Sequence, residues 1–297
     1  MRIAPLCLAA LAGAVSLFAQ PSATMRPDLL ASAEFNAAYS SREDVARGPQ
    51  TLGSLAVQSY GVSVSGRHAW DEHTQLVYGL AVQQHDLDQD GVSTLPLPAH
   101  LAEFSLNLGA QRRIDANWSA ALYLRPGFYG DFEESLGKSF NVPALLLANY
   151  AQSRTLIWSF GVNANPFSDN PVLPIAGVRW QFAPAWMFSV GFPRSGFTYQ
   201  ATENLSLRAA AGFAGGSFRV SRNVGSPAVG LARIANTYVD FREVRVGLGL
   251  DYSLGERVTL SADVGAVTDR KFDYFDKNYR LDGDAGTFVS LALKGSF

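Results

Sequence analysis

Phe104-Ser105-Leu106-Asn107-Leu108-Gly109-Ala110-Gln111 carries apolar residues at its even positions and polar residues or glycine at its odd ones. Successive side chains of a β-strand point to opposite faces, so this stretch has one greasy face and one polar face. The pattern recurs along the chain, in Leu76-Tyr78-Leu80-Val82, Trp118-Ala120-Leu122-Leu124, Leu156-Trp158-Phe160-Val162 and Ala176-Val178-Trp180-Phe182. It continues in Trp186-Phe188-Val190, Leu205-Leu207-Ala209-Ala211-Phe213, Val244-Val246-Leu248-Leu250-Tyr252 and Val258-Leu260-Ala262-Val264-Ala266. No segment shows a comparable 3.6-residue period. The chain reads as all-β.

Alternation alone fits a soluble sandwich as well as a membrane barrel. Three observations favour lipid. Charged residues make up 17% of the 297, against about 25% in ordinary soluble domains, and the polar faces favour Gly, Ser and Asn over Lys and Glu. Trp70, Trp118, Trp158, Trp180 and Trp186 all fall near predicted turns, where an aromatic girdle meets the membrane–water interface. The last strand places Val289, Leu291, Leu293 and the terminal Phe297 on one face, resembling the signal by which barrel-assembly machinery recognises outer-membrane barrels.

Met1-Arg2 followed by the apolar run Ile3 to Phe18 predicts a secretory signal peptide over residues 1–19, cleaved after Ala19. Cys7, the only cysteine, lies inside it, which excludes a disulfide scaffold and any zinc site built on Cys pairs. A net charge of −2 with no basic stripe excludes nucleic acid as a partner. No cofactor is expected. Residues 20–30 are expected to form a periplasmic segment and 31–297 the barrel.

Connection lengths alternate. Residues 41–50, 86–100, 130–139, 165–172, 221–238 and 269–285 are long and polar, whereas 71–73, 114–116, 152–154, 183–185, 201–204 and 255–256 are tight. Outer-membrane barrels have short periplasmic turns and longer outer loops, as here. The parity holds if Phe192-Pro193 turns a hairpin at the outer end, since proline cannot sit in a central strand. The expected fold is a closed antiparallel transmembrane β-barrel of 14 strands, 12 if residues 185–200 form one bent strand and the first is dropped.

Pro174-Ile175-Ala176-Gly177-Val178-Arg179-Trp180, Phe192-Pro193, Phe197-Thr198-Tyr199-Gln200 and Leu205 follow one another as a strand, a Phe-Pro turn and a Tyr-bearing strand. In this the chain resembles an uncharacterised family of single-domain outer-membrane β-barrels of Gram-negative bacteria. The resemblance implies the fold and an outer-membrane location. It implies no activity and no catalytic residue.

Charged residues expected on the inward face are Glu103, Arg125, Arg179, Arg208, Glu243, Arg245, Asp251, Asp263 and Lys294. A filter for one sign of ion would show an excess of the other. The near balance predicts salt-bridged pairs through the lumen, for which guanidinium forks suit better than ammonium. That accounts for 20 Arg among the 24 cationic residues. Asp86, Asp88 and Asp90 before Gly91 have the spacing of a calcium-binding loop, but Leu97 stands where the closing Glu belongs; a solvated acidic loop is the simpler reading. His68, His73, His85 and His100 accompany no nucleophile signature such as G-x-S-x-G, so the chain is not expected to be an enzyme. Phe272, Tyr274, Phe275 and Tyr279 could stack on a sugar or pack against neighbouring loops, packing being the simpler. Gly215-Gly216, where the apolar phase changes, marks either a β-bulge or a strand end. The expected function is an integral outer-membrane barrel in contact with lipid, either a narrow porin-like channel for small solutes or a structural, adhesin-like barrel with a filled lumen.

Overall fold

A computed structural model describes residues 28–90, 95–134, 136–191, 194–230 and 233–297. The predicted signal peptide and most of the 20–30 segment lie outside them. Seventeen strand segments follow one another: β1 (Asp28–Arg47), β2 (Gln50–Ala69), β3 (Thr74–Gln89), β4 (His100–Arg113), β5 (Trp118–Leu124), β6 (Gly127–Gly130), β7 (Phe140–Asn141), β8 (Ala144–Ala151), β9 (Leu156–Ala164), β10 (Val172–Ala183), β11 (Trp186–Val190), β12 (Arg194–Gln200), β13 (Leu205–Val220), β14 (Thr237–Leu254), β15 (Val258–Tyr274), β16 (Tyr279–Gly283) and β17 (Gly286–Ser296).

Three pairs of segments are single strands with a break. β5 and β6 share one register against β4. β7 and β8 do so against β6 and β5, and β16 and β17 against β15. The first two breaks fall at Pro126 and Pro143, which have no N–H to give to the ladder. The result is a 14-strand barrel, closed where β1 pairs with β17, Phe35 opposite Leu293. Closure leaves neither the first nor the last strand with an edge facing lipid. β1 starts at Asp28, slightly before the expected Ala31.

The greasy rows face outward. Phe104, Leu106 and Leu108 are 43–48% exposed while Glu103 and Ser105, on the opposite face of the same strand, are buried, the reverse of a soluble sheet. At the short-turn end Trp118 packs on Tyr150 and Trp186 on Tyr199, with ring centroids 4.9 and 4.7 Å apart. Four of those turns are built alike. Asp71 and Asp115 accept hydrogen bonds from the backbone N–H groups two and three residues on, and Ser153 and Thr202 do the same through their hydroxyls. A short polar side chain there replaces the strand partner the turn removes.

Two expected outer loops are paired strand instead. Residues 41–50 continue β1 and β2 as a ribbon closed by Gly48-Pro49. Most of 269–285 is likewise a hairpin of β15 and β16, with a short 3-10 turn at its tip. The β11–β12 hairpin forms as the parity required, Trp186 pairing with Tyr199, although Phe192 and Pro193 themselves lie outside the described residues.

Gly215-Gly216 is neither a bulge nor an end: β13 runs through it in unbroken register with β14. The apolar phase changes because the apolar face changes. Phe213 faces lipid, whereas Phe218 and Val220 point inward and are buried. Gly215 takes φ +115°, and a Cβ there would collide with the Phe241 carbonyl; only glycine permits the twist that carries β13 inward.

Candidate functional site

The lumen has two tiers. At membrane height all 14 strands form the wall. Above it β13 leaves its neighbour β12, which last pairs at Arg194–Gly212, and takes β6 as a parallel partner at Gly130–Arg219. The outer tier is therefore a ring of β1, β2, β3, β4, β6, β13, β14, β15 and β16, each paired with the next. An odd number of otherwise antiparallel strands can close only with one parallel pair, and β6–β13 supplies it.

Every strand of this ring sends an apolar residue inward: Val45, Val57, Leu87, Leu101, Tyr129, Phe218, Phe241, Phe272 and Leu281 all belong to one buried cluster. Phe241 and Phe272 stack at 4.8 Å. The Tyr274 hydroxyl donates to the Pro96 carbonyl at 2.7 Å, and that of Tyr279 to Val229 at 2.8 Å, tying two outer loops onto the plug. Phe272, Tyr274 and Tyr279 thus pack inward, while Phe275 stacks on Tyr238. The barrel axis is filled at its outer end.

Asp131 holds the parallel junction. Its N–H donates to the Arg219 carbonyl at 3.0 Å. Its carboxylate accepts from the Ser221 hydroxyl at 2.6 Å and from the Ser221 N–H at 2.8 Å, in a fully buried position.

Beneath the plug lie two buried ion-pair groups. Glu103 pairs with Arg125, which also reaches Asn107 at 3.1 Å. Glu243 accepts from Arg245 at 2.7 Å, from Arg270 at 2.8 Å and from the Ser40 hydroxyl at 2.9 Å; both Glu243 and Arg270 are 0% exposed. Lower still, Arg208 bridges Asp251 and Asp263, and Arg194 reaches Asp263 at 3.5 Å. Gly249 makes room for this cluster, since a Cβ there would overlap the Asp263 carboxylate. The lower group is wetter, with side chains of Arg208, Asp251 and Asp263 17–26% exposed. Lys294 stands opposite Glu34 in the ladder, and Arg179 sits between Ile157 and Ser189.

Glu103, Arg125, Arg208, Glu243, Arg245, Asp251 and Asp263 thus meet in ion pairs, in three separate groups. Arg270 and Arg194 complete them and were missed. Arg270 falls in a stretch read as loop, though its alternation with Phe272 and Tyr274 was the available signal. The three carboxylates of the acidic stretch are not brought together. Asp86 and Asp88 project outward from β3 and engage Gln84 and Arg42, each at 2.6 Å. Among the described residues no cluster of three His, Cys, Asp or Glu is placed to hold a metal.

His85 on β3 lies above the apolar belt, which ends at Val82. Its Nδ1 is 2.8 Å from the Ser59 hydroxyl, and its ring meets Phe218 and Phe241 edge to face. Burial pulls its pKa down to about 4, helped by Arg245 and opposed by Glu243 and Asp86, so the imidazole is neutral at pH 7. A Ser–His pair invites a nucleophilic reading. Both residues, however, are sealed inside the plug, at 5% and 4% exposure, where no substrate reaches them.

The model of a domain of unknown function, DUF6268, matches residues 20–281. The chain belongs to this family. No curated protein matches it in sequence. Among solved structures, a TodX monoaromatic hydrocarbon channel mutant aligns with TM-score 0.50 and 7% identity, over 90% of this chain and 91% of that one. An outer-membrane channel from Pseudomonas putida F1 aligns with TM-score 0.48 and 10% identity, over 94% and 100%. A Pseudomonas aeruginosa FadL homologue gives 0.46 and 10%, over 90% of each. At these identities the likeness is one of fold: the DUF6268 chain has the architecture of outer-membrane β-barrels.

Proposed function

We propose that this DUF6268 barrel is an outer-membrane channel for small solutes, with a lower lumen open toward the periplasm and an axial route shut at the outer end. The observation that carries this reading is the contrast between the tiers. The lower lumen is lined by partly exposed polar and ionised side chains, which a filled structural barrel has no use for, whereas the outer ring is packed like a protein core. Its solved neighbours include proteins described as hydrocarbon and outer-membrane channels, which is consistent with the reading without supplying a solute. In this account lipid covers the outward rows, and the Val289-Leu291-Leu293-Phe297 strand is what the assembly machinery reads.

Planar-bilayer recording tests it. The intact barrel should give small, infrequent conductance steps, and Asp131→Ala, which frees the junction of the outer ring, should raise their amplitude or frequency. Silence from both proteins after verified insertion contradicts the channel.

A further inference from the structure

The lower-lumen charges differ in how fully their hydrogen-bonding capacity is used. Both oxygens of each carboxylate are engaged. Asp251 accepts from Arg208 through Oδ2 and from the Ser261 hydroxyl through Oδ1, the latter at 2.5 Å. Asp263 accepts from Arg208 at 2.9 Å through Oδ1. Its Oδ2 takes the Ser290 hydroxyl at 3.3 Å and Arg194 at 3.5 Å. Arg208 is committed to the same two carboxylates. Arg194 is the exception. Its Nη1 makes that one long contact, and its Nε and Nη2 make none among the described residues. Its side chain is 51% exposed, against 17% for Arg208.

The ladder explains why Arg194 stays open. Gly212 stands directly across from it, and the next inward pair is Gly196 with Ala210. None of these has a side chain long enough to reach a guanidinium. The contact with Asp263 turns Arg194 into the lumen, since the alternate residue Val264 carries the lipid face and is 60% exposed. A second cation shares the sector. Arg179 on β10 lies opposite Ser189, which lies in turn opposite Gly196. Strands β8 to β12 carry only these two charged residues, and both are arginine. The acids stand on β14 and β15 and are saturated there. What remains open in the lower lumen is therefore a donor pair, the Nε and Nη2 edge of Arg194. Two parallel N–H groups of a guanidinium match the two oxygens of a carboxylate, and the bonds are stronger for the charge. Low-dielectric walls focus the field of the sector on the water in front of it.

We infer that Arg194 is a binding site for small carboxylate solutes, its free edge holding the carboxylate while Arg179 adds to the field that draws it in. The site deepens the channel reading by naming a class of solute. It rests on that reading for passage, whereas binding requires only the open lower lumen.

The test is isothermal titration of the full chain in bilayer nanodiscs at pH 7.5, with heat-modifiable gel migration confirming the fold of each variant. The probe is sodium benzoate, with benzamide as its uncharged counterpart. The wild type should bind benzoate saturably and benzamide about tenfold or more weakly, the scale of a lost charge-assisted bond. Arg194→Gln should weaken benzoate binding by about the same factor. Arg194→Lys, which keeps the charge without the fork, should fall between. Arg112→Gln removes an exposed cation beside the Asp71 turn and should leave binding unchanged. No saturation in the wild type, equal binding of benzamide, or unaltered benzoate affinity in Arg194→Gln overturns the proposal. So does full wild-type affinity in Arg194→Lys, which would leave the fork no part. Conductance is read separately, so a silent bilayer with saturable benzoate binding refutes the channel alone, and conductance without benzoate binding refutes the site alone.

Discussion

Gly130 and Arg219 are parallel β-partners although five strands of the wall stand between them at membrane height. That one pairing turns a wide barrel into a narrow, packed ring. It also means that the seal depends on a junction far smaller than the ladders beside it.

Asp131 is the polar lock of that junction. Asp131→Ala leaves the buried Ser221 hydroxyl and N–H without their acceptor, a loss of about 1–3 kcal/mol per abandoned group. The outer ring should loosen while the membrane-height barrel persists. Amide exchange should therefore rise in residues 217–220 and 127–130 and stay unchanged in the β14–β15 ladder at Val246–Ala266.

Gly215→Val should damage the same tier by another route. The residue must hold φ +115°, and its Cβ would meet the Phe241 backbone. A cost of a few kcal/mol is expected, seen as a lower temperature for loss of the compact gel band. Gly255→Val, at a positive φ with open space around it, should cost less.

The Glu243–Arg270 pair is buried without solvent. Arg270→Met alone leaves Glu243 with one cation, Arg245, besides the Ser40 hydroxyl and should destabilise by about 3–5 kcal/mol, while Glu243→Leu with Arg270→Met and Arg245→Met together should come close to the wild type. Urea midpoints of the single and triple variants decide this.

His85 gives the outer tier an acid sensitivity. Its folded pKa of about 4 lies below the ordinary value of 6.5. Between those values the unfolded chain binds a proton that the folded chain refuses, so stability falls as pH drops from 6.5 toward 4 and changes no further, on this account, below it. At about 1.4 kcal/mol per pKa unit the loss is on the order of 3 kcal/mol. The difference between unfolding midpoints at pH 7.5 and 4.5 should shrink in His85→Gln; equal differences would show that His85 has no part in it.

The 14 strands and their faces were legible because lipid enforces a strict alternation, as in Phe104 to Gln111, and because turn chemistry at Asp71, Asp115 and Thr202 is local. The outer tier was not. There β13 and β15 keep their alternation while the apolar face switches from outside to inside, so Phe218 and Phe272 obey the same period with the opposite meaning. Sequence period reports which residues share a face, not which solvent that face meets. The parallel pairing of Gly130 with Arg219 has no local signal at all. Strand parity put Glu103, Arg125, Arg208, Glu243, Arg245, Asp251 and Asp263 on the inward face, but their division into three groups, and the part of Arg194 and Arg270 in them, depends on which strands approach across the barrel.

Reactivity of single introduced cysteines with a membrane-impermeant, charged thiol reagent tests the two-tier lumen most directly, Cys7 being the only native thiol. Ala210→Cys lies on the inward face of β13 in the lower tier, and Val57→Cys lies within the plug at 0% exposure. Rapid labelling at 210 and protection at 57 are expected, the latter lost when Asp131→Ala is added. Equal labelling of the two positions in the otherwise unaltered barrel, or protection of both, would contradict the two-tier lumen.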